Sequence, residues 1–129
     1  TDVIVGFPSE KEEDFENTIY AINKSNLNNL HVFPYSVRPK TTAFYLKDHN
    51  SPEVIKSRSR ELNRISKLIT TKSMRNIIGK KRSILWEGKN MNSGLTEDYY
   101  RVIRKSVKLP NEYISKQKIK GLEKDKLYI

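Results

Sequence analysis

The chain has 129 residues, a formal net charge of +10 and a mean hydropathy of −0.72. Only 36% of it is hydrophobic, yet 7 Tyr, 4 Phe and 1 Trp exclude a disordered polyelectrolyte. It has no cysteine, which excludes disulfides, Cys-ligated zinc, a Cys nucleophile and an iron–sulfur cluster held by the chain itself.

Two histidines, His31 and His49, are too few for a His-rich metal site, so no metal ligand and no catalytic residue is assigned. No apolar run reaches the 18 or more residues of a membrane span, and no signal peptide opens the chain. The expectation is a soluble, cytoplasmic monomer with no membrane partner. The charge is uneven: −2 over residues 1–50, +8 over 51–86 and +4 over 87–129. A basic excess attracts polyanions, and nucleic acid is the commonest in cytoplasm. Solubility alone is the competing explanation.

Val3-Ile4-Val5 is a consecutive apolar run, the pattern of a strand covered on both faces. The turn Gly6-Phe7-Pro8-Ser9-Glu10 follows it. Ser9 with Glu12 three residues later reads as a capping box, and acidic residues through Asp14 suit a helix N-terminus. Phe15, Ile19 and Ile22 recur at helical spacing, which predicts a helix over 10–24. Leu30-His31-Val32-Phe33-Pro34-Tyr35-Ser36 is a second strand. Strand, helix and strand within 35 residues make a βαβ unit with parallel strands. Two strands do not make a stable parallel sheet, so this front reads as a slice of something larger whose neighbours precede Thr1.

Residues 37–51 read as a loop. Ser51-Pro52-Glu53 starts a helix, with Pro at its first position. Val54, Ile55, Leu62, Ile65, Leu68 and Ile69 follow a helical period to Asn76, and Lys56, Arg58, Arg60, Arg64, Lys67 and Lys72 form its polar face. Gly79 breaks it. Short β-like segments follow: Ile84–Glu87, Tyr99–Ile103, Tyr113-Ile114 with Ile119, and Leu127–Ile129. Turn signals separate them at Gly88-Lys89-Asn90, Asn92-Ser93-Gly94, Leu109-Pro110-Asn111 and Gly121. Such spacing predicts a small antiparallel barrel of the OB-like type. The expected division is therefore 1–50 as α/β, 51–76 as a basic connecting helix and 77–129 as a β-barrel.

These residues also carry a resemblance. Thr1-Asp2-Val3-Ile4-Val5-Gly6-Phe7-Pro8-Ser9-Glu10 with Glu12-Glu13-Asp14-Phe15 resembles a late strand–helix unit of the radical-SAM tRNA methylthiotransferases. His31-Val32-Phe33-Pro34-Tyr35-Ser36, then Arg38, Thr41 and Ala43, resembles their last barrel strand. It is most like the branch that acts on threonylcarbamoyladenosine, the MtaB type. Gly79-Lys80, Leu85-Trp86-Glu87 and Gly94-Leu95-Thr96-Glu97-Asp98-Tyr99 resemble the TRAM domain that ends these enzymes. The resemblance covers nearly the whole chain.

Where Ser9 stands the family usually has Gly, and where Lys40 stands it often has Gly. A Cβ is tolerated at such turns if φ is negative. The resemblance implies the terminal βαβ of a TIM-like barrel, a linking helix and a TRAM barrel. It further implies a whole enzyme that adds a methylthio group to carbon 2 of a modified adenosine in tRNA, using S-adenosylmethionine and two 4Fe-4S clusters. The three cluster cysteines are absent here, so this chain would hold neither cluster and would keep the RNA-holding part. A stand-alone RNA-binding protein, or a non-functional truncated remnant, are the alternative expectations.

The resemblance implies that Gly6, Phe7 and Pro8 form a wall of the S-adenosylmethionine pocket; a tight turn needing glycine is the other reading. Phe33, Tyr35 and Ser36 end the next strand and would hold adenine, or else pack and cap. Arg38 would meet tRNA or the cofactor, or be a solvated loop residue. His31 reads as structural. Glu10, Glu12, Glu13, Asp14 and Glu16 read as helix-dipole and solvation residues. Lys80, Lys81, Arg82 and Arg101, interleaved with Tyr99 and Tyr100, make a candidate RNA surface in which basic groups contact phosphates and rings stack on bases. One of the two tyrosines must pack inward. Trp86 reads as core.

Overall fold

The computed structural model describes residues 1–105 and 112–129; the turn expected at Leu109-Pro110-Asn111 lies outside them. The β-branched run Val3-Ile4-Val5 lies in strand β1, Asp2–Val5, which pairs in parallel with β2, His31–Pro34, in register from Asp2↔His31 to Val5↔Pro34. Helix α1, Glu12–Lys24, connects them. Val3, Val5 and Val32 face a core of Phe15, Ile22, Leu30, Leu62 and Ile65. Ile4 and Phe33, opposite each other in register, lie on the other face and are exposed.

Helix α1 does not start at Ser9. Ser9 takes a left-handed backbone, φ +68°, and its N–H donates to the Asp48 carbonyl at 2.9 Å. The helix begins after Lys11, whose backbone N–H donates to Asp14 Oδ2 at 2.8 Å. The expected capping box is thus shifted two residues along. The predicted loop contains one turn of 3₁₀ helix, Thr42–Tyr45, capped by the Thr41 hydroxyl accepting from the Phe44 N–H.

Helix α2, Pro52–Asn76, starts as expected: Pro52 opens it and Ser51 Oγ accepts from the Val54 N–H at 3.3 Å. Arg58 departs from the expected polar face and is only 6% exposed. Chain contacts group Thr1–Thr70 as one unit and Thr71–Ile129 as a second.

In the second unit β3 (Lys81–Glu87), β4 (Ser93–Thr96), β5 (Arg101–Ile103), β6 (Ile114–Lys118), β7 (Gly121–Glu123) and β8 (Lys126–Tyr128) form one sheet. Its order is β6-β3-β4-β5-β8-β7. The expected antiparallel barrel is corrected on two counts. The β5·β8 pair is parallel, because the chain passes through β6 and β7 before β8 returns beside β5. Among the described residues β6 and β7 end the sheet without pairing to each other, so it does not close. The core is Met74, Ile77, Ile84, Trp86, Tyr100, Val102, Ile119 and Leu127.

Two strands occupy segments whose glycines read in the sequence as turn signals. Gly94 lies inside β4, where a Cβ would stand 2.6 Å from the Leu85 carbonyl and 3.1 Å from the Trp86 ring, so only glycine lets the strands approach this closely. Gly121 opens β7. No helix among the described residues is long and apolar enough to cross a membrane.

Candidate functional site

The first unit places the two strand ends side by side. The Phe7 and Tyr35 rings meet edge to face with centroids 5.4 Å apart, and the His49 ring lies 6.1 Å beyond Tyr35. The Tyr35 N–H donates to the Val5 carbonyl at 2.8 Å, extending the β1–β2 pairing past Pro34. Pro8 is buried, while Phe7, Phe33, Ser36 and Arg38 are exposed. A cleft of about 480 Å³ opens here, lined among others by Tyr35, Val37, Ile55, Lys56 and Ser59. The Tyr35 hydroxyl and Ser59 Oγ are shielded from solvent without a hydrogen-bond partner among the described residues. A shielded, unpaired hydroxyl is costly unless something else satisfies it.

Gly6 has φ +76°, and the space its Cβ would need is filled by Ile55 Cγ1, 2.4 Å away. Its close approach is therefore to α2. Its N–H donates to Glu10 Oε2. Arg58 from α2 then grips the same carboxylate at 3.4 Å, donates to the Glu10 carbonyl at 3.0 Å and to Glu12 Oε2 at 3.0 Å, and lies over the Phe15 ring at 5.3 Å. Asn50 Nδ2 donates to the Phe7 carbonyl at 2.9 Å. The turn is thus held from the start of α2. Glu10 and Glu12, read from sequence as solvated dipole residues, are the acceptors of that grip. Asn50, Ile55 and Arg58 were not expected at the site; an arginine at a position otherwise continuing the apolar stripe toward Leu62 and Ile65 was the available signal.

Lys40 shares the left-handed backbone of Ser9, with φ +65°. The negative φ that would make a side chain harmless is not adopted at either turn. A Cβ in this region costs roughly 1–2 kcal/mol, of which glycine's extra unfolded-state freedom cancels about half. Ser9→Gly and Lys40→Gly are each expected to stabilise the chain by about 0.5–1 kcal/mol, read as a higher urea midpoint at unchanged slope. A lower midpoint in both would show that the turns carry no such strain.

In the second unit the expected RNA surface divides. Tyr100 is buried and its hydroxyl is pushed above the usual phenol range, chiefly by desolvation, with Asp98 adding to the rise and Ser73 opposing it. It is the tyrosine that packs. Tyr99 is 82% exposed. Arg82 Nε contacts Asp98 Oδ2 at 2.5 Å and Glu97 at 3.8 Å, and Arg101 pairs with Glu87. Both guanidinium groups are already matched by carboxylates. Lys80 and Lys81 are exposed. Trp86 is core, its Nε1–H donating to Ser115 Oγ at 2.8 Å. Among the described residues no three His, Asp or Glu side chains gather as a metal site.

No protein-family profile matches the chain. It is 37% identical over 93 residues, 72% of its length, to the tRNA-2-methylthio-N(6)-dimethylallyladenosine synthase of Hydrogenobaculum sp. (strain Y04AAS1), covering 21% of that protein. It is 43% identical over 89 residues, 67% of its length, to the enzyme of the same name from Helicobacter hepaticus, covering 19% of it. It is 39% identical over 89 residues, 69% of its length, to the ribosomal protein uS12 methylthiotransferase RimO of Thermotoga maritima, covering 21%. These homologues are methylthiotransferases, and the chain spans about a fifth of their length.

Proposed function

We propose that this chain is the carboxyl-terminal part of a radical-SAM methylthiotransferase that adds a methylthio group to carbon 2 of N6-threonylcarbamoyladenosine beside the anticodon of tRNA. The observation that carries the reading is the convergence of the turn at 6–10 with the end of β2, seen in the Phe7–Tyr35 contact at the carboxyl ends of two parallel strands. Active sites of α/β barrels gather at that end. The homology to methylthiotransferases over about 70% of the chain supports the reaction class.

The residues fit S-adenosylmethionine in part. Tyr35 lines the cleft and offers its unpaired hydroxyl, and Phe7, Phe33 and Ser36 are exposed at the same strand ends, whereas Pro8 is buried. Gly6 contributes its turn, its N–H being taken by Glu10. When bound, S-adenosylmethionine supplies the methyl group and the radical chemistry. The donor set does not fit an iron–sulfur cluster, since the chain has no thiolate to offer. In this reading the residues of the first unit orient the adenine end of the cofactor. The second unit is a TRAM-like module that holds tRNA through lysines and Tyr99, with Arg38 a further contact from the first unit. The choice of threonylcarbamoyladenosine as substrate rests on the resemblance of the His31–Ser36 segment, with His31 and Pro34, to the branch that acts on it.

The test is nucleoside mass spectrometry of tRNA from cells carrying or lacking the gene that encodes this chain. Loss of the 2-methylthio mark from threonylcarbamoyladenosine is the expected result. Loss from dimethylallyladenosine instead, or from no tRNA nucleoside, overturns it.

A further inference from the structure

The outer face of the second unit's sheet has an ordered composition. Cross-strand partners share a face, so the register defines rows. One row is Ile114, Leu85, Leu95 and Arg101, running from β6 across β3 and β4 to β5. Beside it Lys116 faces Ser83, and beyond that Lys118 faces Lys81. Ile114 and Leu85 are 60% and 47% exposed, apolar side chains left uncovered. With Ser83, Leu95, Glu97 and Tyr99 they line a groove of about 260 Å³.

The lysines are the informative part. Like charges directly opposite each other across two strands destabilise a sheet. Lys81 and Lys118 adopt that arrangement, with Lys116 two residues along on the same face, about 6.7 Å away at strand rise. Among the described residues none of the three has a carboxylate partner, whereas Arg82 and Arg101 nearby do. A row of unmatched like charges beside an apolar floor with a free aromatic wall complements an anionic strand carrying flat apolar groups. Unpaired nucleotides have that chemistry; a duplex keeps its base faces stacked and offers phosphates alone.

We infer that single-stranded RNA binds across β6-β3-β4, with its phosphates on Lys81, Lys116 and Lys118 and one unpaired base on Leu85 and Ile114 against Tyr99. This rests on the RNA-holding role proposed above and moves it away from the two paired arginines.

The experiment is fluorescence anisotropy of the whole 129-residue chain with a labelled single-stranded 12-nucleotide RNA and with a duplex of the same sequence, over a salt series. The triple change Lys81→Gln, Lys116→Gln, Lys118→Gln is expected to weaken binding about tenfold or more at low salt and to flatten the log–log salt slope by about 2, at about 0.7 per contact. The same change should raise the melting temperature, because the like-charge contact is relieved. A damaged fold would lower it. A control triple, Lys89→Gln, Lys124→Gln, Lys126→Gln, removes equal charge elsewhere and should stay within about threefold of wild type. Tyr99→Ala should lose at least about fivefold for the single strand and leave the duplex unaffected.

Equal losses in the two triples would reduce the effect to net charge and overturn the assignment. So would an unchanged affinity in the first triple with wild-type binding intact, leaving this face to a protein segment while RNA holding stands elsewhere. Absence of RNA binding by the wild-type chain at low salt would overturn the RNA-holding role itself.

Discussion

Arg58→Met is expected to destabilise the first unit by about 3–4 kcal/mol. The Arg58 side chain is 7% exposed and its principal partner, Glu10, is 13% exposed. Removing one member of a buried pair leaves the other charge desolvated and uncompensated, which costs about 3–5 kcal/mol. Here the Glu10 carboxylate keeps the Gly6 N–H as a donor, which holds the loss toward the lower part of that range. The hydrogen bond to the Glu10 carbonyl is lost as well. Glu12→Gln provides the contrast. Glu12 is 72% exposed, so its pair with Arg58 is solvent-screened and its loss should cost under about 1 kcal/mol. Combining Arg58→Met with Glu10→Gln should recover about 1–2 kcal/mol relative to the sum of the single changes, because the stranded charge is gone. Urea unfolding followed by hydrogen exchange over residues 1–70 measures all three. A loss below about 1 kcal/mol in Arg58→Met would mean that the turn is held by Asn50 and Ile55 alone.

Trp86→Ala carries the comparable effect in the second unit, about 3–5 kcal/mol. The indole is the largest fully buried side chain and joins Ile84, Tyr100, Val102 and Leu127 in one core. Its removal leaves a cavity that the flanking strands close only in part, and large-to-small aromatic changes in cores fall in this range. It also removes one of the two donors to Ser115 Oγ, which keeps the Gln117 Nε2–H at 3.2 Å. Ser115→Ala alone should cost only about 1–2 kcal/mol, since it unpairs the buried indole N–H and the half-buried Gln117 amide without opening a cavity. The chain has 1 Trp, so wild-type emission reports the second unit specifically. Hydrogen exchange over β3 and β5 must replace it for the alanine variant. Protection there equal to wild type would contradict the core assignment.

The strong periodicities were readable. Val3–Val5, the Phe15–Ile19–Ile22 stripe and the Ser51-Pro52 start each point to the element that forms, because local propensity and tertiary packing agree there. The left-handed turns at Ser9 and Lys40 were not readable, since φ is set by the Asp48 contact and loop closure rather than by residue type. Arg58 reads as a solvent-face residue in the sequence because its partners lie 46–48 residues away, beyond any local pattern. At the candidate site the resemblance located the strand ends, but the residues that hold them, Asn50, Ile55 and Arg58, belong to a segment read as a connector. In the second unit the sequence marks Tyr113-Ile114 and Ile119 but not the strand Ile114–Lys118 between them, whose polar residues give no apolar alternation, and Gly94 conceals β4.

The parallel pairing of β5 with β8 sets an order of events during synthesis. Val102 pairs with Leu127, and Leu127 is fully buried in the same core. At roughly 5–20 residues per second, a ribosome takes about one to five seconds to pass from the first of these residues to the second. Throughout that interval the far edge of β5 has no partner strand and the Val102 side of the core lacks its cover. The second unit is therefore committed to completing its fold only after β8 has emerged, and its nascent form presents a bare strand edge for pairing with another chain. Slower synthesis between the two strands would lengthen this exposure.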